Sequence, residues 1–258
     1  MKTVDKAFRV LGQFSVEKQE IGLSELARMA QLDKAATRRL LVALGEHGFV
    51  EQNEDTRKYR LGHGFLRFAR IREATVPLQA AAAEVANWLC AEVGETVHVS
   101  VPGAEGMTPL AYRLPSRGHV VNMRATEMLY YHATASGMVF LAHATPSTQK
   151  RILSNPRGQV TPHTQTDLSA IQKRMAEIRQ QGYAATVGTF EEGVSSLAMP
   201  FGSGAGDPRG AISIALVSND FTTSRRVALI PKLKEAVARL ERATQGQPPE
   251  SAALAEEY

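Results

Sequence analysis

The feature that most constrains the fold is a short basic segment with its own start and stop signals. Asp33 is a typical helix N-cap residue, and Gly48 is the residue type that ends helices in the left-handed conformation. Between them the chain runs for more than two helical turns without an acidic residue. A helical wheel places one set of residues inward and a basic set outward. The inward set is Thr37, Leu40, Leu41 and Leu44, and the outward set is Lys34, Ala35, Arg38, Arg39 and Val42.

Two further helices precede this segment. Apolar residues recur at steps of three and four from Val4 to Phe14, which predicts an amphipathic helix of about 14 residues. Ser24 is placed to cap a second, shorter helix whose inner face runs from Leu26 to Ala30.

A hairpin follows the basic helix. The strand-like segments FVEQ and KYRL flank the polar loop NEDTR. Three helices and a hairpin within about 60 residues form a winged helix-turn-helix, which we predict over residues 1–62.

Positive charge is concentrated in the same part of the chain. Residues 1–72 contain 14 Lys and Arg against 9 Asp and Glu, whereas the remainder contains 16 against 17. The outward helix face lacks acidic partners one turn away, and a major groove is wide enough to admit such a helix. We therefore predict DNA binding; a basic face that only keeps the protein in solution is the alternative. The candidate DNA-binding residues are Ser24, Lys34, Ala35, Thr37, Arg38, Arg39, Arg57 and Lys58.

The sequence after residue 62 has a different pattern of helix-like and strand-like segments. Residues 63–77 are predicted to form a linker helix, and Pro77 starts a further, alanine-rich helix. From Glu95 onward strand-like segments, including HVVNM, alternate with helices, which predicts a second domain over residues 78–245 and an α+β fold class. The Pro- and Glu-rich residues 246–258 are predicted to be a disordered tail.

Composition disfavours several classes of protein. The chain is 43% hydrophobic and 22% charged, as globular proteins are, and no apolar run approaches the ~20 residues of a membrane span. The N-terminus lacks a signal-peptide core. The single cysteine, Cys90, excludes an internal disulfide framework, and we expect a cytoplasmic protein.

Enzyme motifs are weak or missing. FGSGAGDPRG joins two strand-like segments instead of opening a helix, so we interpret it as a hairpin turn and not a phosphate loop. No G-x-S-x-G elbow occurs, and the seven histidines show no metal-ligand spacing. We expect no catalytic residue, no cofactor and no metal, although His98 and His132 could meet in space. The alternatives are a ligand-binding or metal-dependent enzyme and an interaction module without a ligand.

The segment GLSELARMAQLDKAATRRLLVALGEHGFVEQNEDTRKYRLG resembles the DNA-binding domain of the IclR family of bacterial transcriptional regulators. The segments YHATASGMVFLA, QQGYA and GVSSLAMPF…GAISIAL are similar to that family's second domain, so the likeness covers roughly residues 2–245. The resemblance implies a repressor or activator in which a GAF-like α/β domain with an antiparallel sheet binds a small metabolite.

The resemblance also implies where the effector binds. The matching positions lie at the start of a small-residue helix and on two strands, where helix N–H groups and hydroxyls can receive a carboxylate. Thr186 and Thr189 stand where some members carry acidic residues, and Met138 replaces a common lysine, which favours an aromatic or otherwise bulky organic acid. Each hydroxyl could instead be an ordinary core residue. The candidate effector-binding residues are Met123, Tyr130, His132, Ala135, Ser136, Gly137, Thr186, Ser196 and Ser213.

A homodimer or tetramer is the expected assembly, because one helix in one groove reads few bases and paired half-sites are the usual solution. The apolar faces of the first helix and of residues 78–90 are the candidate interfaces.

Overall fold

The computed structural model describes residues 2–75, 78–118, 120–122, 128–204 and 206–244. The chain divides into two compact units between residues 76 and 77. The predicted tail and Met123 lie outside the described residues.

The first unit consists of helices and one small hairpin. In chain order its elements are α1 (Thr3–Leu11), α2 (Leu23–Met29), α3 (Lys34–Glu46), β1 (Val50–Gln52), β2 (Tyr59–Leu61) and α4 (Gly64–Thr75).

A single apolar core joins α1, α2, α3 and β1. Leu26, Leu41 and Val50 are buried in it, and each fully buried residue of this size contributes about 1.5–3 kcal/mol. The predicted hairpin is confirmed: β1 and β2 pair antiparallel, and a further bridge between Ile21 and Tyr59 ties the hairpin to the segment before α2.

Two local predictions in this unit are wrong. Helix α1 ends at Leu11 and is capped by Gly12, a poor helix former, so Phe14 lies beyond the helix and packs on the core. The N-cap of α2 is Gly22 and not Ser24, because Leu23 is already helical; Ser24 lies exposed in the first turn.

The second unit is an antiparallel sheet between helices. Its elements are α5 (Leu78–Val93), β3 (Thr96–Pro102), β4 (Gly106–Arg113), β5 (Leu129–Tyr130), α6 (Ala135–His143), α7 (Pro146–Leu153), α8 (Leu168–Gln181), β6 (Ala184–Val187), β7 (Val194–Phe201), β8 (Gly210–Val217), a 3₁₀ turn (Ser218–Asp220) and α9 (Thr223–Ala243).

The six strands within the described residues of this unit lie in the order β5-β4-β3-β8-β7-β6, and every neighbouring pair is antiparallel. Helices α5 and α9 pack on the sheet and on each other, while α6 packs on β7 and β8 and is in turn covered by α8. Strand β8 is buried along nearly its whole length, as expected for a central strand with both faces covered.

The structure corrects two predictions for this unit. Residues 120–122 of the predicted HVVNM strand are not in a strand, and Leu129–Tyr130 pairs with β4 at that edge instead. The apolar face of α5, including Leu78, Ala82 and Leu89, is buried within the unit, so it is not available as the interface predicted for residues 78–90.

Candidate DNA-binding and effector sites

The basic face of α3 is oriented outward by its cap and its apolar side. The Asp33 carboxylate accepts the backbone N–H of Ala36 at 2.7 Å, which fixes the start of the helix and lowers the pKa of Asp33. Leu41 is buried, whereas Lys34 and Arg38 are exposed. The other outward residues predicted from the wheel, Ala35, Arg39 and Val42, are exposed as well.

The described cations on this face form no close ion pair, although Arg39 is attracted electrostatically to the carboxylate of Asp33. Elsewhere in the first unit Lys18 pairs with Glu25 at 2.8 Å and Arg60 with Glu51 at 3.1 Å. Within the part of the chain that the structure describes, no carboxylate forms an ion pair with Lys34, Arg38 or Arg39. The face therefore retains a positive potential suited to phosphates and guanine edges.

The hairpin loop is a structured turn that presents two more cations. Asn53 Oδ1 accepts the backbone N–H groups of Asp55 and Thr56 at 3.0 and 3.1 Å, and Arg57 adopts a left-handed conformation with φ of 56°. Its amide donates to Asn53 O at 2.9 Å. Arg57 and Lys58 are exposed at this loop.

The prediction that the side chain of Thr37 contacts DNA is wrong. Thr37 is fully buried, and its hydroxyl donates to the carbonyl oxygen of Asp33 at 2.9 Å. The residue stabilises the first turn of α3 instead of facing outward.

The second unit contains a cavity between the sheet and the start of α6. The space within it, counted together with the open solvent at its mouth, is about 550 Å³. The cross-strand register builds its floor: Thr96 lies opposite Ala215, Ala215 opposite Ser196, and Ser196 opposite Thr186. The adjoining row brings His98 on β3 opposite Ser213 on β8.

The start of α6 covers this floor. Thr134 is the N-cap, and its Oγ1 accepts the amide of Gly137 at 3.1 Å and the hydroxyl of Ser136 at 3.3 Å. The first-turn amides of Ala135 and Ser136 have no acceptor within the helix itself, as at any helix N-terminus. A carboxylate in the cavity can accept hydrogen bonds from them.

Of the candidate effector-binding residues, the structure brings Ala135, Ser136, Thr186, Ser196 and Ser213 together around this cavity. Gly137 is not among the lining residues. A Cβ atom on it would lie 2.4 Å from Tyr131 Cα, so glycine is needed for the close approach of α6 to the preceding turn.

Tyr130 and His132 were predicted for the same pocket but line a different cavity of about 960 Å³. Tyr130 is 39% exposed, and His132 lies against the carbonyl oxygen of Gly158, with 2.8 Å from Nε2 to O. The intervening Tyr131 is the side chain that turns into the core. Because His98 and His132 line separate cavities, the suggested meeting of the two histidines does not occur.

Sequence reasoning missed several lining residues, of which His98 is the most informative. It is 6% exposed, burial lowers its pKa to about 4, and neither ring nitrogen has a hydrogen-bond partner among the described residues. Ser213 Oγ, on the opposite strand, also lacks one. A buried polar group without a partner costs about 1–3 kcal/mol. The alternation of Thr96, His98 and Ser100 with valines in TVHVSV was the available signal, since it marks one strand face as polar.

Apolar contacts come from other missed residues. Leu129 and Phe190 line the cavity in place of the tyrosine that was expected, and Glu191 is its one charged residue among the described lining residues. Thr189 lines it too, and its hydroxyl donates to the carbonyl oxygen of Ala133.

Comparison with known proteins gives the family. A family model described as the IclR helix-turn-helix domain matches residues 3–54, and one described as the bacterial transcriptional regulator IclR C-terminal domain matches residues 74–242. The chain belongs to the IclR family.

Solved structures and curated relatives agree with this. A putative IclR regulator from Silicibacter sp. TM1040 superposes with a TM-score of 0.88 at 38% identity, covering 96% of this chain and 98% of that one. An IclR homolog from Microbacterium hydrocarbonoxydans, solved in complex with 4-hydroxybenzoate, gives a TM-score of 0.75 at 26% identity, with 93% and 98% covered. The regulator XynR of Escherichia coli is 24% identical over 247 residues, which are 94% of this chain and 97% of XynR.

As an IclR protein the chain is a DNA-binding transcriptional regulator and not an enzyme, which sets aside the alternative of a ligand-binding or metal-dependent enzyme. None of the helices in the described ranges combines the length and apolar character needed to span a membrane. Among the described residues no group of three or more His, Cys, Asp or Glu side chains is arranged to hold a metal ion.

The buried imidazole predicts an acid-sensitive stability. The pKa of His98 is about 4 in the folded chain against an ordinary value of 6.5. Between these values the unfolded chain binds more protons, so the free energy of unfolding falls as the pH is lowered through this window, by on the order of 3 kcal/mol. Urea unfolding above pH 7 and near pH 4 should show a smaller loss for His98→Gln than for the wild type.

The matched control is His163→Gln, which replaces an exposed histidine of the same unit. It should keep the wild-type pH dependence. An unchanged pH dependence in His98→Gln would show that this imidazole does not titrate as a buried group.

Proposed function

We propose that this IclR regulator reads its operator with α3 and the β1–β2 loop, and that a small organic acid in the sheet cavity changes the operator affinity. In this proposal residues 1–62 are the DNA-binding domain, 63–77 the linker and 78–245 the effector domain. The observation that carries it is the polar floor of the cavity beneath the first-turn amides of α6. Because its partner is chromosomal DNA, we place the protein in the cytoplasm.

The choice of an acid rests on the geometry and on one relative. Helix amides receive a carboxylate, hydroxyls on Ser136, Thr186 and Ser196 surround it, and Phe190 and Leu129 offer apolar contact to a bulky body. The Microbacterium hydrocarbonoxydans homolog was solved in complex with 4-hydroxybenzoate, which has both a carboxylate and an apolar aromatic ring. An aromatic or similarly bulky acid therefore suits the cavity best.

We predict that removing arginines from the outward face of α3 weakens operator binding. Arg38→Ala should weaken operator binding by about 1–3 kcal/mol if its guanidinium reads a base, and Arg38→Ala/Arg39→Ala should weaken it further. The measurement is fluorescence anisotropy on duplexes that the wild-type protein selects from a random pool, at several salt concentrations. Lys18→Ala is the control, because it removes a cation already paired with Glu25. Full operator affinity in the double variant would contradict the proposal.

If the effector binds in the cavity, filling the cavity should abolish the effect of the acid on operator affinity. Ser136 is buried at the cavity lining, so Ser136→Leu should block an acid while acid-free operator binding stays intact. In the wild type, a bound acid should change operator affinity by roughly 5–150-fold. Anisotropy with and without 4-hydroxybenzoate and related acids measures this response. Ser169→Leu, at the exposed start of α8, controls for the added side chain. A Ser136→Leu protein that responds normally would show that the acid binds elsewhere.

We further propose a homodimer, or a tetramer built from dimers, with α1 as one interface. Val4 and Phe8 are 64% and 67% exposed on this helix, and Val10 is the residue it buries. Two exposed apolar side chains one turn apart are suited to a second copy. Val4→Ser/Phe8→Ser should shift light-scattering mass toward the monomer and weaken operator binding. Val187→Ser, which alters an exposed valine of β6, should change neither property. A wild-type monomer at micromolar concentration would rule out the assembly.

A further inference from the structure

The floor of the effector cavity holds a pair of polar side chains whose hydrogen bonds the protein does not complete. His98 and Ser213 lie opposite each other on β3 and β8, both are buried, and both line the cavity. Nδ1 and Nε2 of His98 and Oγ of Ser213 have no partner among the described residues. Native proteins satisfy nearly all buried polar atoms, so two directly opposed exceptions indicate a group that arrives from outside.

Contact with the cavity distinguishes His98 and Ser213 from other buried polar side chains of the sheet. Ser100 Oγ is likewise buried without a partner, but Ser100 is not among the residues that line the cavity. Ser195, on the other face of β7, is buried too and has its hydroxyl paired with Ser218 at 2.9 Å. Among these serines, Ser213 combines an unpaired hydroxyl with contact to the cavity.

The charges around the cavity favour a neutral group at this pair. Glu191 already contributes a carboxylate, and no Lys or Arg is found among the described lining residues. Burial holds His98 in its uncharged form, as its lowered pKa of about 4 shows. A second ligand carboxylate at this place would therefore find no cation, whereas the first is received by the amides of α6.

A single hydroxyl group can bond to one ring nitrogen of His98 and to Oγ of Ser213 at the same time. Neutral imidazole has one N–H donor and one unprotonated nitrogen that accepts, and serine can do either. A ligand hydroxyl can donate to the unprotonated nitrogen of His98 while it accepts from the hydroxyl of Ser213. A carboxylate can accept from the imidazole N–H and from Ser213, but it cannot donate to the unprotonated nitrogen of His98.

We propose that the effector is a hydroxylated organic acid, and that His98 and Ser213 select it by binding its hydroxyl group at the floor of the cavity. This inference rests on the proposed function, since it specifies the acid for the same site. A site built to bond a hydroxyl discriminates against the analogue without it, because that analogue leaves buried polar atoms unpaired.

The test is calorimetry on the full chain with matched acids: benzoate and 4-hydroxybenzoate, phenylacetate and 4-hydroxyphenylacetate, butyrate and 3-hydroxybutyrate. The hydroxylated member of a pair that binds should bind about tenfold or more tightly than its partner. Ser213→Ala and His98→Phe should each reduce this preference several-fold. Ser100→Ala, the unpaired serine outside the cavity, should keep it.

Thermal unfolding measured without acid distinguishes an unpaired serine hydroxyl from one that stabilises the fold. Ser213→Ala should lose no stability, because it removes an unpaired hydroxyl, whereas Ser195→Ala should lose stability together with its hydrogen bond to Ser218. This measurement and Ser213→Ala binding remain decisive even if His98→Phe fails to fold.

The outcomes separate the two levels of the proposal. Equal affinity for both members of every pair that binds, or a preference that survives in Ser213→Ala, would overturn the hydroxyl inference and leave an organic-acid effector standing. Binding of none of the six acids would overturn the acid effector and the hydroxyl inference together.

Discussion

Gly137 is the residue on which the geometry of the effector unit depends. It lies in the first turn of α6, and the space its side chain would occupy is filled by the backbone of Tyr131. Because this contact seats the helix tightly, the amides of Ala135 and Ser136 meet the sheet at the cavity instead of standing away from it. The same seating buries Phe140 against Tyr131, with ring centroids 5.5 Å apart. The absence of a side chain at Gly137 therefore allows both the close packing of α6 and the position of its first-turn amides at the cavity.

The cavity is built at a cost in stability. Polar atoms on His98 and Ser213 are withdrawn from water without a partner among the described residues, in a sheet whose buried positions are mostly apolar. Such departures are expected at functional sites, where ligand contacts complete what folding leaves undone. The first unit shows the electrostatic counterpart: among the described residues, the cations on α3 form no ion pair, whereas Glu25 and Glu51 pair with cations elsewhere in the unit. We propose that both sites complete these interactions with bound partners, DNA at α3 and an organic acid at the cavity.

Sequence predicted the parts that local signals govern. Asp33 and Gly48 marked the two ends of the α3 region, and both behave as expected, with Gly48 at a φ of 72°. Gly182 ends α8 in the left-handed conformation for the same reason. The paired strands of the sheet were also visible as runs of strand-forming residues, apart from β5, which is only two residues long.

What escaped prediction depends on contacts distant in sequence. The register between β3 and β8 decides that His98 faces Ser213, and nothing near either residue states that pairing. Tyr130 and His132 flank Tyr131, and the turn before α6 sends only Tyr131 into the core, so a local pattern assigned the neighbours to the wrong cavity. Tertiary packing, and not propensity, settled these cases.

We propose that the seating of α6 makes the acid site and that this site controls DNA binding. This proposal is tested most directly by Gly137→Ala, with Gly158→Ala as a control because a Cβ there meets nothing within 4 Å. Operator affinity is measured with and without the hydroxylated acid that binds the wild type. Gly137→Ala should destabilise the second unit by about 1–3 kcal/mol and abolish the response to the acid, while its acid-free operator affinity stays unchanged. Gly158→Ala should keep both the stability and the response of the wild type. A Gly137→Ala protein with a normal acid response would contradict the proposal.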